Sequence, residues 1–278
     1  MVEYMQTKQS GDARITIFNI GELSADLVSW LGLETWPSRY DDLFRQPAMS
    51  PVQCILVQRR DMVLLVDAYY YDIAPDSSFA IANYEPPPGL VEQMSQMGIA
   101  PEDVTHVVIT HLHFDHYTGV TKEQAGHFVP AFPKAQVYIG RSDWQLAEPQ
   151  FTRPGSPESQ TLAVLEQHSL QVLVDGEHEL AHGVTILPAP GESPGHQIVR
   201  VETAEHILYC LGDLYHHQVE VEQPNWIVRW ADAAIMTASR QPLLPELLAE
   251  DALLVAAHIE GFGRLQPTAT GLSWHKIA

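Results

Sequence analysis

Basic residues are scarce. The 278-residue chain carries 15 Lys and Arg against 35 Asp and Glu, a formal net charge of −20. Such a surface repels a phosphate backbone, and nucleic-acid binders present a basic patch instead. Arg59 and Arg60 are the only adjacent basic pair, so nucleic acid is not expected as a partner. Cysteine is almost absent too. Cys54 and Cys210 lie in the apolar runs VQCILV and ILYCLG. Two buried thiols fit those runs better than a disulfide, which suits a reducing, cytoplasmic setting. No apolar run approaches the roughly 20 residues of a membrane-crossing helix, so no membrane partner is expected. The opening MVEYMQTKQSGDARIT holds no apolar stretch of a secretory leader. No glycine-rich phosphate loop is present either.

What is there reads as one α/β domain over residues 1–278, large enough to fold on its own core. RITIFNI (14–20) alternates as a strand does. VQCILV and MVLLVDA flank a short RRD turn and read as a hairpin of buried strands. Residues 68–88, rich in Tyr and Pro, read as irregular. LVEQMSQMG reads as a short helix with Leu90, Val91, Met94 and Met97 on one face. QVLVDGEHEL suggests a hairpin over Asp175-Gly176, and VRVETAEHILYCLGD another. ADAAIMTASR predicts a helix that Pro242 and Pro245 interrupt, with a second helix from PELLAEDA. ALLVAAH is expected to be the last buried strand, ending at His258.

The stretch THLHFDHYTGV (110–120) is unusual. It holds His111, His113, Asp115 and His116 within six residues. A polar loop can collect histidines by chance. In extended backbone, however, His111, His113 and Asp115 share one parity and His116 breaks it. Two histidines can then hold one metal while Asp115 and His116 serve a second. Imidazole nitrogen with carboxylate oxygen suits zinc first, with manganese, iron or cobalt as alternatives. One loop cannot complete two coordination spheres. His196 in SPGH, Asp213 after ILYCLG and His258 after LLVAA each adjoin a strand end. Strand ends on one sheet edge can converge on a crevice.

HLHFDH followed by SPGH, LGD and AAH resembles the metallo-β-lactamase superfamily of metallohydrolases. The resemblance implies a four-layer αβ/βα sandwich, with metals at one edge of the stacked sheets. It implies two divalent ions: His111, His113 and His196 on one, Asp115, His116 and His258 on the other, and Asp213 bridging. Asp67 in LLVDAYY matches an aspartate that orients a metal-binding histidine, though Ala68 and Tyr69 replace the usual Thr and Gly. Two ions acidify a shared water, whose hydroxide attacks a carbonyl or phosphoryl centre. Asp213 positions the bridge, and Asp115 is a candidate proton relay.

GDLYHHQVEVEQPNW is similar to a subgroup that includes acyl-homoserine lactonases and organophosphate hydrolases. His216 stands where smaller lactonases carry a tyrosine, which makes it a candidate substrate contact. A small lactone or ester is the expected substrate. A glutathione-type thioester, a phosphotriester, or persulfide oxidation at a single iron are the alternatives. Phe114, Tyr117, Trp226, Trp230 and above all the Tyr69–Tyr71 run are offered as pocket walls. The 20–50 region is offered as cover for a partner subunit, as in a homodimer.

Overall fold

A computed structural model describes residues 4–277. Its central strands, such as Ala48–Arg59, Met62–Val66 and Leu253–Ala256, are apolar on both faces, and the layering follows from that. The first half supplies β1 (Met5–Ser10), β2 (Ala13–Ala25), β3 (Ala48–Arg59), β4 (Met62–Val66), β5 (His106–Val108), β6 (Thr121–Gln124), β7 (His127–Pro130), β8 (Gln136–Gly140) and β9 (Gln171–Val174). Seven of these form one sheet in the order β1-β2-β3-β4-β5-β8-β9, and β6-β7 stands apart as a hairpin. The second half supplies β10 (His178–Ala181), β11 (Val184–Pro188), β12 (Gln197–Glu202), β13 (Ile207–Cys210), β14 (Leu253–Ala256), β15 (Ile259–Thr268) and β16 (Gly271–Ile277). These form a second seven-stranded sheet in simple sequence order.

Period-two alternation sends successive side chains to opposite faces. Ile55, Val57, Leu64 and Val66 of the first sheet meet Val199, Val201, Leu208 and Val255 of the second. Their neighbours Cys54, Leu56 and Leu65 point outward, onto Leu90, Met94, Trp144 and Leu162 of the covering helices. On the far side Tyr209 and Leu254 pack against Met236, Leu243 and Leu247 of the helix Ala233–Ala249. Helix, sheet, sheet, helix: this is the expected four-layer αβ/βα sandwich. Among the described residues no helix is long and apolar enough to cross a membrane.

The connectivity brings one set of strand ends together. β4, β5, β8 and β9 run parallel, as do β13 and β14. β12 is antiparallel to β13, so it starts where β13 ends. Two buried glutamines tie the sheets at that edge. Gln53 of β3 donates to the carbonyls of Ala256 and Ile259 at 2.8 and 2.7 Å. Gln197 of β12 donates to the carbonyl of Ile109 at 2.8 Å.

Several elements depart from expectation. Asp175-Gly176 closes no hairpin: β9 pairs with β8 and β10 with β11, so the turn carries the chain between sheets. A turn signal does not say which partner the next strand takes. Pro242 and Pro245 lie inside one continuous helix, because packing through Leu243 and Leu247 outweighs the lost donors. Val91 is exposed, while Leu90 and Met94 are buried. β14 is not the last strand; β15 and β16 follow, closing over Phe262, Leu265 and Trp274.

Candidate metal centre

Each candidate side chain leaves a strand at the shared edge. β5 runs into the Thr110–Tyr117 loop, whose short helix Phe114–Tyr117 breaks the extended parity and turns Asp115 and His116 inward. His196 precedes β12, Asp213 follows β13 and His258 follows β14. Gly212 permits this approach. Its φ is +52°, and a β-carbon there would lie 2.9 Å from His196 Nε2.

Two donor groups result. His111, His113, Glu192 and Asp213 offer atoms that all lie within 4.8 Å of one another, as do Asp115, His116 and His258. Asp213 also reaches into the second group. Its Oδ1 is 3.3 Å from His116 Nε2, and its Oδ2 is 3.4 Å from His258 Nε2 and 3.7 Å from His111 Nε2. Asp115 Oδ2 lies 3.3 Å from His258 Nε2. The structure therefore brings six of the seven expected ligands into two adjoining groups. His196 stands just behind: its Nε2 accepts the backbone N–H of Asp213 at 3.1 Å.

The imidazoles are held from behind. Asp67 Oδ2 lies 2.9 Å from His116 Nδ1, the Ala189 carbonyl 2.9 Å from His196 Nδ1, and the Pro51 carbonyl 2.8 Å from His258 Nδ1. A proton on each Nδ1 leaves Nε2 of His116 and His258 aimed at the centre, while that of His196 is taken by the Asp213 N–H. Asp67 also accepts from the backbone N–H and hydroxyl of Thr110, at 2.7 and 2.9 Å. It does so at φ +60°, a left-handed turn made without the usual Thr-Gly. Among the described residues, His111 Nε2, His116 Nε2 and Asp213 Oδ1 are buried and have no hydrogen-bond partner. Orphaned buried donors and carboxylates are costly, and divalent cations in the two groups would satisfy them. The residues fit a pair of metal ions.

The charges point the same way. Among the described residues, every ion-pair partner of Asp115, Glu192 and Asp213 is a histidine. Burial opposes ionisation of Asp213, but His116, His258 and His216 hold its carboxyl well below the usual range. Burial likewise pushes His258 down, yet Asp213 and Asp115 carry it up to about 9. Burial and the adjacent His116 hold His111 well below its ordinary value.

Above the centre lies a cavity of about 230 Å³. Leu23, Trp30, Phe79, Phe114 and Trp230 make an apolar wall, over a floor that includes Asp115, Asp213, His216 and His258. His216 Nε2 is 3.2 Å from Asp213 Oδ2, and the ring stacks on His258 with centroids 5.7 Å apart. Tyr69–Tyr71 do not line this cavity. Tyr69 is buried in the core behind Phe114, Tyr70 faces outward, and Tyr71 donates to the Glu22 carbonyl. Strand exit alone does not set the side-chain direction of an irregular run. Tyr117 is also core, and Trp226 packs with Tyr40 and Phe44 away from the centre.

Three contributions escape the sequence. Leu23 and Trp30 come from the region offered as subunit cover. Asp143 clamps the SPGH turn, accepting from Ser193 Oγ and Gly195 N–H, both at 2.6 Å. Gly191–Gly195 spells G-x-S-x-G, but it joins two strands rather than a strand and a helix, and its serine is bound to Asp143. Glu192 enters from this same turn; a lone loop glutamate carries no spacing signal.

The model of the metallo-beta-lactamase superfamily matches residues 49–218. The chain belongs to that superfamily. An N-acyl homoserine lactonase of Bacillus cereus is 28% identical over 171 residues, 58% of this chain and 62% of the relative. The N-acyl homoserine lactonase AttM of Agrobacterium fabrum is 28% identical over 186 residues, 61% of this chain and 64% of the relative. The chain thus spans less than two thirds of the length of these curated relatives. Among solved structures, the dizinc quorum-quenching lactonase AidC superposes with a TM-score of 0.78 at 20% identity, covering 99% of this chain and 97% of its own. The hydrolase AbOPH superposes at 0.79 with 19% identity, covering 100% and 99%. At such identities the structural likeness establishes the fold.

Proposed function

We propose that this chain is a metal-dependent hydrolase that opens a small lactone or ester, with an acyl-homoserine lactone as the leading substrate. The observation that carries the reading is the shared Asp213: one carboxylate joins two donor groups on the floor of an apolar cavity. His111, His113 and Asp213 would hold one ion; Asp115, His116, His258 and Asp213 the other. Zinc is the first choice. The ions, when bound, would supply a water-derived nucleophile near neutral pH and a Lewis acid for the carbonyl.

The chain's own groups do the rest. Trp30, Phe79 and Trp230 would take an acyl chain and exclude water from the reacting carbonyl. His216, with neither ring nitrogen hydrogen-bonded, is placed to donate from Nε2 to a substrate oxygen. Asp115, 3.3 Å from His258 Nε2, would take the proton that the water-derived nucleophile gives up on attack and pass it to the leaving oxygen as the ring C–O bond breaks. The lactonase names of the relatives support the substrate class.

Proton release from a medium-chain acyl-homoserine lactone tests the reading, run beside an aryl ester, a phosphotriester and a glutathione thioester. Ring opening by the metal-loaded chain, abolished in Asp213→Ala, is the expected result. Preference for any of the other three would move the substrate assignment, and no turnover of any would overturn the hydrolase reading.

A further inference from the structure

We propose that Glu192 is a ligand: its carboxylate joins His111, His113 and Asp213 on the first ion. The inference rests on the metal-centre reading above and adds a donor to it. Glu192 sits four residues before His196 in the turn that opens β12. Its side chain is fully buried, and its Oε1, the oxygen that also accepts from Trp230 Nε1, lies 3.2 Å from His113 Nδ1. Donor atoms bound at about 2.1 Å to one ion stand about 3.0–3.4 Å apart, whether octahedral or tetrahedral. The Glu192–His113 spacing is therefore that of two ligands on a common centre. The carboxylate also belongs to the group whose atoms lie within 4.8 Å of one another, which His196 does not.

The second argument is charge. Glu192 Oε2 is buried without a hydrogen-bond partner. Its other oxygen, Oε1, accepts from Trp230 Nε1 at 2.6 Å, which fixes the carboxylate plane, and among the described residues its ion-pair partners are His113 and His216 alone. A buried carboxylate with one idle oxygen and no Lys or Arg needs a cation. An ion in the first group supplies it. The consequence is a first site with two carboxylates. Oxygen donors suit manganese and iron better than an all-imidazole set does, so Glu192 biases the site toward harder ions.

The test uses chelator-stripped full-length protein titrated with Zn²⁺ or Mn²⁺ against a chromophoric chelator, with Co²⁺ absorption as a second readout. Glu192→Gln keeps the shape and the acceptor for Trp230 but removes the charge. It should bind one of the two ions about tenfold more weakly or worse, with the larger loss for Mn²⁺ and an altered Co²⁺ spectrum. If E192Q binds both ions with wild-type affinity and spectrum, Glu192 is not a ligand, although the metal centre stands. If the wild type binds fewer than two ions, both readings fall. Should E192Q not fold, anomalous density in crystals of the Mn²⁺-loaded wild type decides: an ion bonded to Glu192 supports the proposal, and an ion that leaves Glu192 free overturns it.

Discussion

Asp213 shares its two oxygens among His111, His116 and His258, so its removal strips a donor from both groups. Asp213→Ala should hold about half the wild-type metal and lose activity by about two orders of magnitude or more; metal analysis beside lactone hydrolysis checks both. Asp67→Asn keeps a residue that tolerates φ +60° but weakens the carboxylate behind His116. A drop of about 10–100-fold in metal affinity is expected, and unchanged affinity would deny Asp67 its orienting role. His258 sets a pH dependence. Its pKa rises from 6.5 to about 9 in the ion-free fold, against burial, through Asp213 and Asp115. Its protonated form therefore stabilises the ion-free chain fully below about 6.5, and that contribution is lost as pH rises through about 9. Ligation needs neutral imidazole, so ion uptake at pH 7 should release protons and tighten with rising pH. Calorimetry in buffers of different ionisation enthalpy measures the release. At this scale the sequence was legible wherever donors recur at short spacing or end an apolar run. Glu192, a single acid in a loop, and Asp143, a single acid in the short helix Arg141–Ala147, were not.

The strands were legible as elements because they are buried on both faces and read as continuous apolar runs, such as VQCILV and LLVAA. Their partners were not, since pairing is decided by the whole sheet; the Asp175-Gly176 turn shows this. The longest described helix, Ala233–Ala249, was misread at its prolines, yet it holds the site's back wall. Arg240 on it donates to the Leu214 carbonyl at 2.8 Å and to Glu220 at 2.5 Å. Glu220 in turn accepts the backbone N–H of His216 at 2.8 Å. Arg240→Met would leave the buried Glu220 without its guanidinium partner, at a cost of about 3–5 kcal/mol. Urea denaturation of the ion-free protein reads this, and a loss under about 1 kcal/mol would mean the pair is no better than a surface bridge. Cys54 and Cys210 face different apolar layers, and burial pushes both thiols well above the ordinary range. Neither should react with an alkylating agent until the chain is unfolded.

Two sheets meet along one edge, and the donors come from both: His111, His113, Asp115 and His116 from the first, Asp213 and His258 from the second. Ions there would cross-link the halves of the molecule. At a free ion concentration a hundred times the dissociation constant, one site adds about 2.7 kcal/mol and two sites about twice that, together roughly 9 °C in Tm for a chain of this size. Chelation should lower Tm by that amount and re-addition restore it. The architecture could be foreseen from the order of motifs along the chain. The cavity could not, because Leu23, Trp30 and Phe79 reach it from segments with no pattern of their own. The most direct test of the whole account is activity against equivalents of ion. Acyl-homoserine lactone hydrolysis by stripped protein should be absent, rise as Zn²⁺ is added, and level off at two equivalents. Hydrolysis that persists in the stripped protein, or that ignores added metal, would contradict it.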